Sequence, residues 1–220
     1  NYKFRYMPID ISQHALDQLE IALKKEFQTL DIEKKQGEYF GVLEDIKSNT
    51  SQKIIMFLGS NLGNLKDEAA KEFLVKLSDA LQVGDKIILG LDRIKPKAIV
   101  LPAYNDSAGV TEAFNFNLLH RINRELKANF NVSNFRYQPE YDEKTGILKS
   151  FLVSEIDHEV CFNNEGKSFI FKEGEKIEVE ISRKYDDHIL QSFLDSTDLI
   201  QTSKISDSKN YFNSYILERV

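Results

Sequence analysis

Short continuous apolar runs mark the predicted strands in the first 92 residues of the chain. Residues 53–58 (KIIMFL) and 86–91 (KIILGL) have the composition of strands that are buried on both faces of a parallel sheet. An earlier strand is predicted over residues 2–9, where aromatic or apolar residues alternate with polar ones, and it ends at Asp10. We expect these strands to be parallel, because helical segments separate them.

Apolar residues at helical spacing predict a helix before each of the two apolar runs. Ser12 offers an N-cap for the first helix. Its apolar stripe is formed by Leu16, Leu19, Leu23, Phe27 and Leu30. The second helix is predicted over residues 66–81, with Ala69, Phe73, Leu77 and Leu81 in register. This order of strands and helices predicts an α/β fold.

The pattern changes between residues 93 and 184. One strong helix is predicted over residues 110–130, and an antiparallel meander follows it. The predicted strands of the meander are residues 135–141, 147–154, 159–163, 168–171 and 176–185. A short helix and two further strands, residues 199–203 and 211–217, return to the α/β pattern. We therefore predict a discontinuous α/β domain (residues 1–92 and 185–220) interrupted by an α+β domain (residues 93–184).

Composition narrows the classes of function. The 220 residues carry a net charge of −6 and no basic stripe with interleaved aromatic residues, so we expect no nucleic-acid partner. No apolar run approaches the roughly 20 residues of a membrane span, so no membrane partner is expected either. The four histidines lack metal-ligand spacing, which predicts no metal site. The single cysteine, Cys161, cannot form an internal disulfide, and a cytoplasmic location is the expectation.

Open parallel sheets bind their ligands at the edge formed by the carboxyl ends of the strands. Three of the predicted strand ends carry residues suited to such a ligand. Asp10 suits ribose hydroxyl groups, or equally caps the helix that follows. Glu38 can accept an adenine amino proton and Tyr39 can stack on the ring, although an exposed Glu beside a core Tyr is common. The loop of residues 59–64 (GSNLGN) allows close backbone approach to a ligand, or is a polar turn in which Asn64 caps the next helix.

Longer segments resemble the histidine-specific, S-adenosylmethionine-dependent methyltransferases of ergothioneine biosynthesis. The motifs are FLGS-x-x-GN (residues 57–64), AYND-x-x-GVT-x-x-FN (103–115) and E-x-S-x-K-Y (180–185), with PIDIS, GEY and DKIILGLD in the same order. The resemblance extends over essentially the whole chain. It implies a class I, Rossmann-like methyltransferase sheet with an inserted α+β substrate-binding domain, S-adenosylmethionine as cofactor and a small amino acid as substrate.

The resemblance also implies roles for individual residues at matching positions. The cofactor would contact Asp10 at its ribose, Glu38 and Tyr39 at its adenine, and Gly59. The amino and carboxylate ends of the amino acid would contact Gly59, Asn61, Asn64 and Tyr104. The imidazole would lie between Glu180 and Ser182, which are two apart on a predicted strand and so share a face. These residues position the amine for an in-line displacement, and none is predicted to act as a catalytic acid or base.

The chain departs from the family pattern in four respects. The family has Asp-Phe at the positions of Glu38 and Tyr39, Thr at Asn61, and an apolar Met at Ser150. The first strand of a class I fold, with its Gly-rich loop, is not recognisable here, so we expect these residues to be part of a longer chain. Two alternatives therefore stay open: methylation of another amino acid or small amine, and a non-catalytic adenosyl-binding or partner-binding module. The sequence gives no oligomeric state.

Overall fold

Two separate sheets organise the chain, which the computed structural model describes over residues 3–47, 49–164 and 166–220. The described helices are α1 Gln13–Glu26, α2 Tyr39–Lys47, α3 Asp67–Asp79, α4 Lys97–Tyr104, α5 Val110–Leu126 and α6 Asp187–Leu194. The described strands are β1 Arg5–Tyr6, β2 Ile9–Asp10, β3 Asp31–Ile32, β4 Lys35–Gln36, β5 Ile54–Phe57, β6 Lys86–Asp92, β7 Phe135–Asp142, β8 Ile147–Ser154, β9 His158–Phe162, β10 Lys167–Phe171, β11 Lys176–Arg183, β12 Leu199–Ser206 and β13 Phe212–Arg219.

The first sheet has the order β12-β13-β6-β5. β5 and β6 are parallel, whereas β13 runs antiparallel to both β6 and β12. Helices α3 and α6 contact each other and share one apolar core with this sheet, in which Leu77, Leu89 and Phe193 are buried. The sheet thus joins strands from both ends of the chain, and the mixed α/β class predicted from the sequence is confirmed.

Burial on both faces was predicted for β5 and is wrong for the described residues. Ile55 and Phe57 pack against the core, but Ile54 and Met56 are 65% and 53% exposed. Ile54 and Met56 point to the face of the sheet opposite the core that α3 and α6 share, and β5 lies at the edge of the sheet, where no described strand pairs with its other side. In β6, by contrast, Ile87, Leu89 and Leu91 are fully buried.

The N-terminal strand is shorter than predicted and is interrupted. β1 pairs with β3 and β2 pairs with β4, both in parallel, while Tyr2 of the predicted strand lies outside the described residues. The expected stripe of α1 is only partly correct. Leu16 is buried and Leu23 and Leu30 are half-buried, whereas Leu19 and Phe27 are exposed.

The second sheet has the order β11-β8-β7, and β9 and β10 form a separate antiparallel hairpin. Helix α5 packs Leu119 into the core beneath them. It ends at Leu126, before the predicted residue 130, because Lys127 adopts a left-handed conformation. The Asn123 side chain then bonds both the N–H and the carbonyl of Phe130, at 2.7 Å each.

Helix α4 was not predicted, and it determines where Tyr104 lies. Pro96 precedes the helix and Pro102 lies inside it, a composition that obscures a helical pattern. Beyond α4, the Asp106 carboxylate accepts the backbone N–H groups of Val110 and Thr111 at the start of α5. These bonds lower the pKa of Asp106 to about 2.

Two backbone bonds join the end of β6 to the end of β11. Tyr185 donates its N–H to the carbonyl of Asp92 at 2.8 Å, and Ile94 donates to the carbonyl of Tyr185 at 3.0 Å. The domain boundaries at residues 93 and 184 stay a prediction. Among the described helices, none combines the length and the apolar character that crossing a membrane requires.

A tight backbone contact fixes the loop after β5 against β11. The loop contains a 3₁₀ turn, Asn61–Asn64, in which Leu62 and Gly63 are buried. A Cβ atom on Gly63 would lie 2.6 Å from the carbonyl oxygen of Arg183 and 3.3 Å from its nitrogen. Only a residue without a side chain permits this approach.

A buried carboxylate ties the start of β5 to the turn before β6. Asp85 is 1% exposed and accepts the backbone N–H groups of Lys53 and Gln82 at 2.8 and 2.9 Å, and it pairs with the Lys53 ammonium at 3.0 Å. Burial alone would raise the pKa of Asp85, but these hydrogen bonds hold it below its usual range.

Replacing this carboxylate should destabilise the fold in a pH-dependent way. Asp85→Asn should lower the free energy of unfolding by about 2 kcal/mol at neutral pH, because a charged acceptor is lost. Since the pKa of Asp85 is lowered in the folded state, its contribution is complete above a pH of about 4 and is lost as the pH falls below that value. Urea unfolding at several pH values measures both effects. The control, exposed Asp79→Asn at the end of α3, should change stability by less than about 0.5 kcal/mol. Equal stability of the two variants at neutral pH would contradict the assignment.

Adding a methyl group at the tight turn should separate the loop from β11. Gly63→Ala should lower the free energy of unfolding by about 1–3 kcal/mol, because the obstructing atoms belong to the backbone and cannot rotate away. The matched control is Gly41→Ala in α2, where a Cβ atom meets nothing within 4 Å and where alanine is the better helix former by roughly 1 kcal/mol. Thermal unfolding compares the two. A Gly63→Ala protein as stable as Gly41→Ala would show that the turn is not constrained by β11.

Candidate functional site

The loop of residues 59–64 is held in an unusual conformation at the end of β5. Gly59 and Ser60 both have positive φ angles, 78° and 59°. The Ser60 N–H donates to the carbonyl of Gly90 at 3.1 Å, and its hydroxyl accepts the N–H of Asp92 at 2.9 Å. The loop is therefore bonded to the end of β6 as well as packed on β11.

Neither asparagine of this loop caps the next helix. Helix α3 begins after Lys66 without a side-chain cap, so the alternative role considered for Asn64 is wrong. Asn61 donates its amide to the carbonyl of Leu58 at 3.1 Å, which closes the loop locally. Asn64 is exposed and lines a cavity instead.

A register shift in β11 turns Glu180 towards the same cavity. Glu178 is opposite Phe151 and Glu180 is opposite Ser150, so the strand contains one extra residue at Val179. Glu178 pairs with Lys149 on one face at 2.7 Å. Glu180 faces the other way, because such a bulge redirects the side chains that follow it.

The cavity lies between the open edge of β11 and the loop. Its volume is about 380 Å³, and it is lined by Asn64, Phe114, Asn115 and residues 178–181. Phe114 is 74% exposed and supplies an apolar wall from α5. The structure thus brings Asn64 and Glu180, which are far apart in the sequence, to one cavity.

Next to this cavity, Tyr104 and Ser182 form a hydrogen-bonded cluster with a buried lysine. The Tyr104 hydroxyl donates to Ser182 Oγ at 2.8 Å. The Lys184 ammonium donates to Tyr104 Oη at 2.6 Å and to Ser182 Oγ at 2.9 Å, and it pairs with Asp92 at 3.0 Å. Burial alone would lower the pKa of Lys184, but the bond to Tyr104 and the charge of Asp92 raise it above its usual value.

A second set of hydrogen-bonded hydroxyl groups holds the Glu180 carboxylate in place. Ser150 is fully buried and donates to Glu180 Oε2 at 3.1 Å. The Tyr137 hydroxyl is 3.0 Å from Ser150 Oγ and 2.9 Å from the carbonyl of Tyr104. Burial raises the pKa of Tyr137, which therefore remains a neutral hydroxyl group.

The residues expected to contact the cofactor lie at the ends of β2, β4 and β5. Asp10 Oδ1 accepts the N–H of Ser12, the residue that caps α1, so Asp10 braces the cap without being the cap itself. Glu38 is exposed just before α2. Tyr39 contacts the ring of Phe57 at a centroid distance of 5.6 Å, which brings the start of α2 beside β5.

Sequence reasoning missed three residues of this region: Asp92, Tyr137 and Lys184. Asp92 was visible only as the end of a strand, and Lys184 only as part of the motif E-x-S-x-K-Y. Tyr137 gave no signal, because the predicted meander places β7 beside β8 but does not fix the register that brings Tyr137 to Ser150. The roles of all the predicted site residues stay predictions.

Comparisons with known proteins agree with the resemblance seen in the sequence. A family model described as "Histidine-specific methyltransferase, SAM-dependent" matches residues 1–219. A histidine N-alpha-methyltransferase from Mycolicibacterium smegmatis is 32% identical over 181 residues, which cover 82% of this chain and 56% of that protein. An L-tryptophan methyltransferase, trpM, from Psilocybe serbica is 27% identical over 157 residues, which cover 70% of this chain and 44% of that protein.

A solved structure shares the overall fold at low sequence identity. It is that of a possible exported protein from Bordetella parapertussis, with a TM-score of 0.51, 10% identity, and coverage of 98% of this chain and 53% of that one. The chain spans about half the length of the curated relatives that it matches. Because the family model matches nearly every residue, the chain belongs to the family of histidine-specific, S-adenosylmethionine-dependent methyltransferases.

Proposed function

We propose that this chain carries the substrate site of an enzyme that transfers methyl groups from S-adenosylmethionine to the α-amino group of histidine. The product would be the betaine hercynine, a step of ergothioneine biosynthesis in the cytoplasm. One observation carries the proposal: Asn64 and Glu180 line the same cavity at the edge of β11, and Ser182 lies two residues beyond Glu180 on the same face of that strand. An amide at one end and a carboxylate with a hydroxyl at the other suit the two ends of histidine.

Each polar group of the cavity has a partner in the proposed substrate. Glu180 Oε2 is bonded to Ser150, so Oε1 is available to accept an imidazole N–H. Asn64 is exposed and can donate its amide to the substrate carboxylate. Tyr104, Gly59 and Asn61 are proposed to hold the amino and carboxylate ends, although the Tyr104 proton is directed to Ser182 in this arrangement.

The residues at the neighbouring strand ends fit the cofactor. Asp10 keeps one carboxylate oxygen beyond the bond to Ser12, which suits a ribose hydroxyl. Glu38 and Tyr39 would contact the adenine, and Gly59 offers a backbone that a ligand can approach closely. When bound, S-adenosylmethionine supplies a methyl group on a positively charged sulfur.

The chain's own contribution to catalysis would be alignment. An in-line displacement requires the amine nitrogen to face the methyl carbon opposite the sulfur, and it is faster where water is excluded. By fixing the imidazole at Glu180 and Ser182 and the carboxylate at Asn64, the site leaves only the amine free to approach the methyl group.

One departure from the family pattern supports a different amino acid as the methyl acceptor. The family has an apolar Met where this chain has Ser150, and one relative is named a tryptophan methyltransferase. The same fold would then methylate another amino acid, whose side chain would be recognised by Glu180 as Ser150 holds it.

Mass spectrometry of the full-length protein should distinguish these acceptors. Incubation with S-adenosylmethionine and an equimolar mixture of histidine, tryptophan and other amino acids should yield histidine carrying one, two and three added methyl groups. Methylated tryptophan without methylated histidine would support the second acceptor instead. If S-adenosylmethionine is not consumed with any of the amino acids, both proposed activities are refuted, and only the fold and the family membership remain.

Removing the carboxylate at position 180 should affect the substrate and not the cofactor. Glu180→Ala should raise the KM for histidine by roughly 10- to 100-fold, because a hydrogen bond to a charged group is lost, and should leave the KM for S-adenosylmethionine unchanged. Steady-state kinetics with each substrate varied in turn measures this. Glu140→Ala is a matched control, since Glu140 is an exposed carboxylate on β7 that pairs with Lys176 at 2.5 Å and is not among the residues that line this cavity. Similar losses for both substrates, or for both variants, would argue against Glu180 as an imidazole ligand.

A further inference from the structure

Lys184 has a fixed set of hydrogen-bond partners. Its ammonium group has three protons, and the structure provides three acceptors: Tyr104 Oη, Ser182 Oγ and Asp92 Oδ2, at 2.6, 2.9 and 3.0 Å. The Lys184 side chain is only 4% exposed, so water does not compete for these protons. The ammonium therefore acts as a donor to both hydroxyl oxygens at once.

These bonds determine the direction of the Ser182 hydroxyl. Ser182 Oγ accepts one proton from Lys184 and another from Tyr104. A hydroxyl oxygen has two lone pairs, and both are now occupied. The remaining proton of Ser182 has no acceptor within the cluster. Because Ser182 shares one face of β11 with Glu180, which lines the cavity, this proton is available to a ligand bound beside Glu180.

Glu180 is a hydrogen-bond acceptor, whereas the Ser182 hydroxyl is a donor. Its Oε2 accepts from Ser150, and an ionised carboxylate can only accept at Oε1 as well. Glu180 and Ser182 share one face of β11, after the register shift at Val179. The pair thus offers one acceptor and one donor, side by side.

We propose that Lys184 is a positioning residue that directs the Ser182 hydroxyl to donate, so that the Glu180–Ser182 pair selects a ring with one N–H and one unprotonated nitrogen. This inference rests on the proposed function, and it specifies which form of the substrate is bound: neutral imidazole. A protonated imidazole has two N–H groups and would meet the Ser182 proton with one of them. A ring that lacks the acceptor nitrogen would leave the Ser182 proton unpaired.

The test compares histidine with two analogues in which a pyrrole ring replaces imidazole. Each analogue, attached at ring position 2 or 3, keeps one N–H and lacks the second nitrogen. With the full-length protein, wild type should bind histidine roughly 10-fold more tightly than the better analogue, as expected for one hydrogen bond. Lys184→Met and Ser182→Ala should each raise the KM for histidine by roughly 10-fold, remove the preference over pyrrole, and leave the KM for S-adenosylmethionine unchanged.

The double variant separates this role from a structural one. If Lys184 acts through Ser182, Lys184→Met combined with Ser182→Ala should lose no more than either single variant. A Lys184→Met protein that keeps the wild-type preference for histidine over pyrrole, or losses that multiply in the double variant, would overturn the inference while histidine methylation by wild type still supports the function. Wild type that fails to bind histidine would instead refute the proposed function.

Folding is checked by thermal unfolding of each variant. If the Lys184→Met protein does not fold, the test uses a double variant, Lys184→Met with Asp92→Asn, in which both charges of the ion pair are removed. The same loss of preference over pyrrole is expected from that protein, and a retained preference would contradict the inference.

Discussion

Two distant parts of the chain meet where the turn after β5 packs on the end of β11. The Cβ position of Gly63 is 2.6 Å from the carbonyl oxygen of Arg183, so the two backbones are in direct contact. Asn64 follows Gly63 immediately, and Ser182 precedes Arg183. Because these neighbours are covalently fixed to the contact, the contact sets the distance between the two ends of the proposed substrate site.

The electrostatics of the site depend on the same junction. Asp92 ends β6, accepts Lys184 from the end of β11, and also pairs with Lys95. A buried ammonium is costly unless its protons are all accepted, and here a carboxylate and two hydroxyl groups accept them. The cluster that satisfies Lys184 includes Tyr104 and Ser182, two residues proposed to contact the substrate. The junction therefore links the stability of the fold to the hydrogen-bonding direction of the site.

The sequence predicted the main strands well, because apolar runs and alternation report directly on burial and on strand period. β8 agrees with its predicted limits, and β6 and β7 differ by a single residue. Burial of β5 was mispredicted, since its apolar residues cannot reveal which neighbours cover them. Helix α4 was missed because Pro102 disguises its pattern.

The candidate site was only partly accessible to sequence reasoning. Period-two spacing was enough to place Glu180 and Ser182 on one face, and motif resemblance singled out Asn64 and Tyr104. The bulge at Val179 and the partners of Lys184 depend on strand register and on contacts over about 80 positions of sequence. Such contacts arise from tertiary packing, and local patterns do not encode them.

A crystal structure of the full-length protein with histidine and S-adenosylhomocysteine would test the central claim most directly. We expect the imidazole between Glu180 and Ser182, the carboxylate at Asn64, and the amine directed to the cofactor sulfur. Histidine bound away from the edge of β11, or with its ring remote from Glu180, would contradict the account.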